Sequence, residues 1–213
     1  MARRAPWGSY AKMIRLDLES GSTIPTLEGH TRNSARVLAV AVTADGRRAV
    51  TGSYDGGLRL WDLESGQMIR TLEGDGGRIL AVAVTGDGRR ALSGSDDGGL
   101  QLWDLESGQT IRTLVLFGDR VLAVAVTVDG RRALSASDDR TLRLWDPENG
   151  SEIAIFIADS SINSCTFAGD GRRIVAGDAS GQVHFLELVE VDATKPGIGE
   201  TKIQLLRCEE LAN

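Results

Sequence analysis

The sequence predicts an all-β chain built from four copies of one four-stranded unit, and three observations predict it. Trp61, Trp103 and Trp145 are each followed by Asp and stand 42 residues apart. The turn "DGRR" recurs at Asp45, Asp87, Asp129 and Asp170, always at the same place in the unit. Between these marks run short apolar or alternating segments separated by Gly, Asp and Ser clusters, and none is long and amphipathic enough for a helix. A fixed period of this length decides the architecture, because a unit that cannot bury its apolar face alone must stack on its neighbours.

Within the unit, "VLAVAV" is a continuous apolar run, as in a strand covered on both faces, and it follows Arg36, Arg78 and Arg120 in full or close variant form. "RRAVTGS" alternates after the Asp-Gly hairpin turn, "LRLWD" alternates after "YDGG" or "SDDGG", and "QMIRTL" follows the "ESG" turn. A fourth, eroded copy ends in "GQVHFLEL", where Leu186 takes the Trp place at an interval of 41. Four antiparallel strands per unit of about forty residues is the pattern of a β-propeller blade.

The recurring "SDDGGLQLWDLESG" type of motif resembles the WD-repeat family, over roughly Leu16 to Leu188. The resemblance implies a hydrogen-bonded relay in each blade: Trp on the third strand donates its indole N–H to Ser or Thr on the second, and His and Asp complete the set. In the first blade all four places are matched, by Trp61, Thr51, His30 and Asp55. The second keeps Trp103, Ser93 and Asp97 with Asp75 in the His place, and the third keeps Trp145, Ser135 and Asp139 with Phe117 there. The fourth has Leu186, Ala176 and Ser180, so its relay is expected to be absent.

Thr51, His30 and Asp55 also have the residue types of a hydrolytic triad, which leaves a hydrolase-type enzyme using His30 as an alternative. Structural use is favoured, because the same places recur in units that have no His and hence no general base. No catalytic residue, cofactor or metal site is expected. The pairs Asp96–Asp97 and Asp138–Asp139 lack the alternating carboxylates of a calcium loop, and no "GxxxxGK[ST]" phosphate loop occurs. Cys165 reads as a small buried residue, Cys208 as an exposed thiol in the tail, and His184 as an ordinary strand residue.

The chain has 213 residues, 41% of them hydrophobic and 25% charged, with a net charge of -6. This composition suits a globular chain and does not suit a phosphate backbone as main partner. No run reaches membrane-spanning length, two cysteines make no disulfide framework, and a cytoplasmic location with no membrane or nucleic-acid partner is expected.

Blade topology sorts the charges by face. "DGRR" and "DLESG" turns share one face, where Arg is expected to pair with Glu or Asp across a solvated rim. The opposite face carries Arg36, Arg78 and Arg120 at the starts of the inner strands and Tyr54, Asp96 and Asp138 farther out. That face is the expected binding site for a protein or peptide partner, since the family commonly docks peptides there and Arg and Tyr suit interface anchors.

The chain divides into an extension at residues 1–12, the propeller at 13–188 and a tail at 189–213. "LDLESG" from Leu16 and "TLEG" from Thr26 parallel the end of a unit, so the N-terminal "STIPTLE" is expected to supply the outer strand that the last blade lacks. Three closures are open: a four-bladed ring within one chain, two chains exchanging strands in an eight-bladed ring, or the end of a longer array. The two-chain homo-oligomer is favoured. The closing stretch "VAGDASGQVHFLEL" with "IGETKIQLL" also resembles the ends of WD-repeat sensor regions in bacterial signalling ATPases of the STAND class. The expected function is a non-catalytic interaction scaffold or sensor module, with a vestigial fragment of a larger signalling protein as a further alternative.

Overall fold

A computed structural model describes residues 12–16, 23–28, 36–74, 77–115, 119–191 and 202–207. A two-stranded sheet comes first, β1 (Lys12–Leu16) paired with β2 (Thr23–Glu28). Four antiparallel four-stranded sheets follow. The first holds β3 (Val37–Val42), β4 (Arg48–Ser53), β5 (Leu58–Asp62) and β6 (Met68–Leu72). The second holds β7 (Ile79–Val84), β8 (Arg90–Ser95), β9 (Gly99–Asp104) and β10 (Thr110–Val115). The third holds β11 (Val121–Val126), β12 (Ala133–Ser137), β13 (Thr141–Trp145) and β14 (Glu152–Ile157). The fourth holds β15 (Ile162–Phe167), β16 (Arg173–Asp178), β17 (Val183–Val191) and β18 (Lys202–Arg207). Among the described residues there is no helix. Strands are joined in order within each sheet, as blades of a propeller are, so the four units of the sequence are four blades.

The turns explain the regularity. In the first blade Asp45 accepts from the Thr43 hydroxyl and the Arg47 N–H, while Gly46 takes a positive φ of 68° that a side chain would disfavour. In the "DLESG" turn, Asp62 accepts from both the N–H and the hydroxyl of Ser65. Asp104 and Ser107 repeat this, and in the third blade Asn149 takes the serine's part against Asp146. The same short polar residues thus fix each hairpin's register.

The core lies between blades. Val50, Leu58, Leu60 and Leu72 of blade one pack on Ile79, Ala91, Trp103 and Leu105 of blade two. Leu92, Leu100, Leu102 and Leu114 meet Val121, Ala133 and Trp145 in the same way, and Leu134, Leu142 and Leu144 meet Ile162, Ile174, Ala176 and Leu186. Blades two and three therefore each pack one apolar face on their predecessor and another on their successor.

Two expectations need correction. The outer strand of the last blade is β18 and not the N-terminal segment, which pairs with β1 through Met13↔Leu27 and Leu16↔Thr23. β17 continues to Val191, past the expected boundary at 188, and residues 202–207 belong to the blade rather than to a tail. A strand needs only backbone groups and one inward side chain, and Leu205, opposite Leu188 and buried, supplies it without any repeat signature. The second correction concerns the rim. Among the described residues the "DGRR" arginines form no ion pair with the "DLESG" acids. Arg48 donates instead to the Gly88 carbonyl at 2.9 Å and Arg132 to that of Gly171 at 3.2 Å, each in the next blade's turn.

Candidate functional site

Consecutive antiparallel strands place the turns between second and third strands on the same face as the starts of the inner strands. Tyr54, Asp96 and Asp138 thus come to lie beside Arg36, Arg78 and Arg120. Backbone bonds fix the match: the Tyr54 N–H donates to the Arg36 carbonyl, that of Asp96 to Arg78 and that of Asp138 to Arg120, at 2.9, 3.0 and 3.1 Å.

Side chains extend the order across blades. The Arg78 guanidinium lies over the Tyr54 ring of the preceding blade, 3.9 Å from its centre, and its Nε stands 3.4 Å from the Asp96 carboxylate. That carboxylate also accepts from the Arg78 N–H at 2.7 Å. Arg120 repeats the ion pair with Asp138 at 3.4 Å. In blade one Tyr54 stands where blades two and three have Asp and blade four has Ala179, and Arg36 has no ion pair among the described residues. One face therefore offers an exposed guanidinium at Arg36, a stacked and paired one at Arg78 and a paired one at Arg120. Such a surface suits carboxylates and carbonyls of another chain, with Tyr54 as an amphipathic anchor.

Below this face lie the buried polar sets. Trp61 Nε1 donates to Thr51 Oγ1 at 2.8 Å, Trp103 to Ser93 at 2.8 Å and Trp145 to Ser135 at 2.9 Å. His30, Asp75 and Phe117 lie outside the described residues, as does Cys208. The turn aspartates serve the third strand: Asp55 pairs with Arg59 at 3.0 Å, Asp139 with Arg143 at 3.4 Å, and Asp97 accepts from the Ser95 hydroxyl and the Gly99 N–H. Burial tends to raise the carboxyl of Asp139, but the hydroxyl and N–H of Thr141, with Ser137 and Arg143, hold it below its ordinary value.

Blade four holds a pair that sequence reasoning missed. His184 Nε2 stands 2.9 Å from Asp178 Oδ2 with both residues buried, and the ring packs against Phe156. Asp178 has the place of Ser53, Ser95 and Ser137 in the unit, and His184 that of Arg59, Gln101 and Arg143. The signal was a simultaneous change of two positions that a hairpin brings together. Cys165 is partly covered on β15, and burial pushes its thiol up to about 12. Among the described residues no group of His, Cys, Asp or Glu stands close enough to hold a metal ion.

Two family models match the chain: one described as WD domain, G-beta repeat, over residues 21–62 and 66–104, and one described as TEP-1 C-terminal beta-propeller, over residues 117–188. Both matches support a WD-repeat propeller family. WD repeats generally mediate protein–protein interactions, and WD-repeat propellers are typically non-catalytic, so the family supports an interaction scaffold in general terms.

Proposed function

We propose that this WD-repeat chain is a non-catalytic docking platform whose partner is a protein or peptide segment seated on the face of Arg36, Tyr54, Arg78, Asp96, Arg120 and Asp138. The observation that carries the reading is the Tyr54–Arg78–Asp96 ladder across two blades beside the exposed Arg36. It holds cationic groups in fixed positions at little entropic cost, which favours an acidic or carbonyl-rich segment. The platform acts as the scaffold or sensor part of a cytoplasmic signalling assembly, similar to sensor regions of STAND-class ATPases, and works as a pair of copies. The net charge of -6, the lack of a disulfide framework and the repeat pattern support that setting. The relay residues His30, Thr51, Asp55, Trp61, Ser93, Asp97, Trp103, Ser135, Asp139 and Trp145 serve to hold the blades.

Charge reversal tests it. Arg36→Glu with Arg120→Glu should abolish capture of partners from a lysate of the source cells while leaving the circular dichroism spectrum unchanged. Arg47→Glu with Arg131→Glu, on the opposite face, should leave capture intact. Unchanged capture in the first variant and loss in the second would move the site to the other face.

A further inference from the structure

Among the described residues one pair of blade faces is used three times, and one copy of each face, on blade one and on blade four, stands open. Where blades meet, a small residue on the second strand forms a socket, and the first residue of the next inner strand fills it. A Cβ built on Gly52 would overlap the Ile79 side chain, and one on Gly94 would overlap Val121. Ala136 holds the same place in blade three, with Ile162 in its cluster. The socket of blade four is Gly177, and there the nearest group is the Ser164 hydroxyl of its own blade, with no side chain arriving from outside among the described residues. The series of knobs begins at Val37, 42 residues before Ile79.

Exposure shows the same remainder. On the face toward a successor, Leu58 and Leu60 are 0% and 1% exposed, Leu100 and Leu102 0% and 2%, Leu142 and Leu144 both 0%. Their counterparts Val183 and Phe185 are both 58% exposed. On the face toward a predecessor, Val40 and Val42 of blade one are 49% and 52% exposed, while Val82, Val84, Val124 and Val126 are half-buried. Apolar side chains set to pack on another blade stand open at both ends.

We infer that the blade-four face of Gly177, Val183 and Phe185 docks the blade-one face of Val37, Val40 and Val42 of a second copy of this chain. The inference rests on the reading of the platform as a pair of copies and says which surfaces join them. The occupant follows from continuity: the surface that fits a blade's following face is, three times over in this chain, the preceding face of a sister blade. Two copies related by a two-fold axis satisfy both of these faces at once. Strand exchange is not needed, because β18 already occupies the outer place of blade four.

Sedimentation of the full chain and of charge-swap variants tests this. The intact chain should sediment as two copies at low micromolar concentration. Val183→Glu or Val40→Lys alone places a charge in both copies of the joint, weakens association about a hundredfold or more and should give single chains with an unchanged circular dichroism spectrum. Mixing the two variants makes one joint a Glu–Lys pair and leaves the other native, so the two-copy species should return. Gly177→Val, whose Cβ meets a Ser hydroxyl able to rotate away and no other described atom, should also give single folded chains. An intact chain that stays single at tens of micromolar, or a mixture that does not reassociate, overturns the inference. If the chain is single yet still captures partners through Arg36 and Arg120, this inference falls and the docking face stands. If it pairs as described while capture ignores those arginines, the reverse holds.

Discussion

Arg59 and Arg143 hold the same place in the repeat, 84 residues apart, and only Arg143 reaches two carboxylates. Arg143 meets Asp139 at 3.4 Å and Glu152 at 2.8 Å. Arg59 meets Asp55 at 3.0 Å, and its Nη1 is buried without a hydrogen-bond partner. The place of Glu152 is taken in blade one by Met68. Met68→Glu should therefore stabilise the chain by about 1 kcal/mol, because it completes a buried donor that now carries a desolvation cost. Urea denaturation would show a higher midpoint, and the gain should vanish in an Arg59→Met background; a lower midpoint in the single variant counts against the geometry.

Removing the indole donor should expose the value of the second-to-third strand bond. Trp103→Phe keeps an aromatic ring but leaves the buried Ser93 hydroxyl short of its donor at 2.8 Å, at a cost of about 1–3 kcal/mol plus lost packing. Leu186→Phe in blade four removes no such bond and should cost less. Equal urea midpoints for the two variants would mean that the hydrogen bond contributes nothing.

Acid should unfold the chain in a defined window. The Ser180 hydroxyl, against the opposing effect of burial, and then His184 and the N–H groups of Gln182 and Ser180 hold Asp178 well below the usual carboxylate range. Asp170 is held down in the same sense by the N–H groups of Arg173 and Arg172 and by the Arg173 side chain. With folded values depressed, the unfolded chain binds more protons once pH reaches its own carboxyl value of about 3.9, so this contribution is complete above that value and is lost progressively as pH falls from there through the folded values. The urea midpoint should be level from about pH 7 to 5 and fall below about pH 4. Asp178→Asn should make that fall shallower; an unchanged acid slope would show that Asp178 is not a source of it.

Arg140 has a φ of 72° in the turn where blades one, two and four place Gly56, Gly98 and Gly181. A side chain there costs about 1–2 kcal/mol, partly offset by the greater freedom of glycine in the unfolded chain. Arg140→Gly should raise the thermal midpoint by a few degrees. A drop would show that the Arg140 side chain makes contacts worth more than the strain.

The blades were legible because their turns depend on side chains: Asp45, Gly46 and Thr43 announce a hairpin by residue type alone. The candidate face was legible for the same topological reason, since strand order alone carries Arg78 to Asp96. Features built on backbone groups left no such mark. The carbonyls of Gly88 and Gly171, which receive Arg48 and Arg132, could belong to any residue, so the rim was read as ion pairs. β18 escaped notice because "KIQLLR" shares nothing with "QMIRTL" except alternation, and Leu205, buried opposite Leu188, carries no repeat signature. The His184–Asp178 pair was hidden because the place of His184 differs from blade to blade, as Arg59, Gln101 and Arg143, so the period gave no expectation there, and only the change from the serine of Ser53, Ser95 and Ser137 to Asp178 marked it.

The placing of β18 has a consequence for synthesis. Blade four is complete only when residues 202–207 have left the ribosome, after β17 and the intervening residues 192–201. At about 5–20 residues per second, the edge of β17 stays open for on the order of a second, with backbone donors and acceptors ready to pair with any extended segment nearby. Adjacent chains on one messenger offer such segments in number. A premature stop or a cut anywhere in residues 192–201 would make that brief interval permanent.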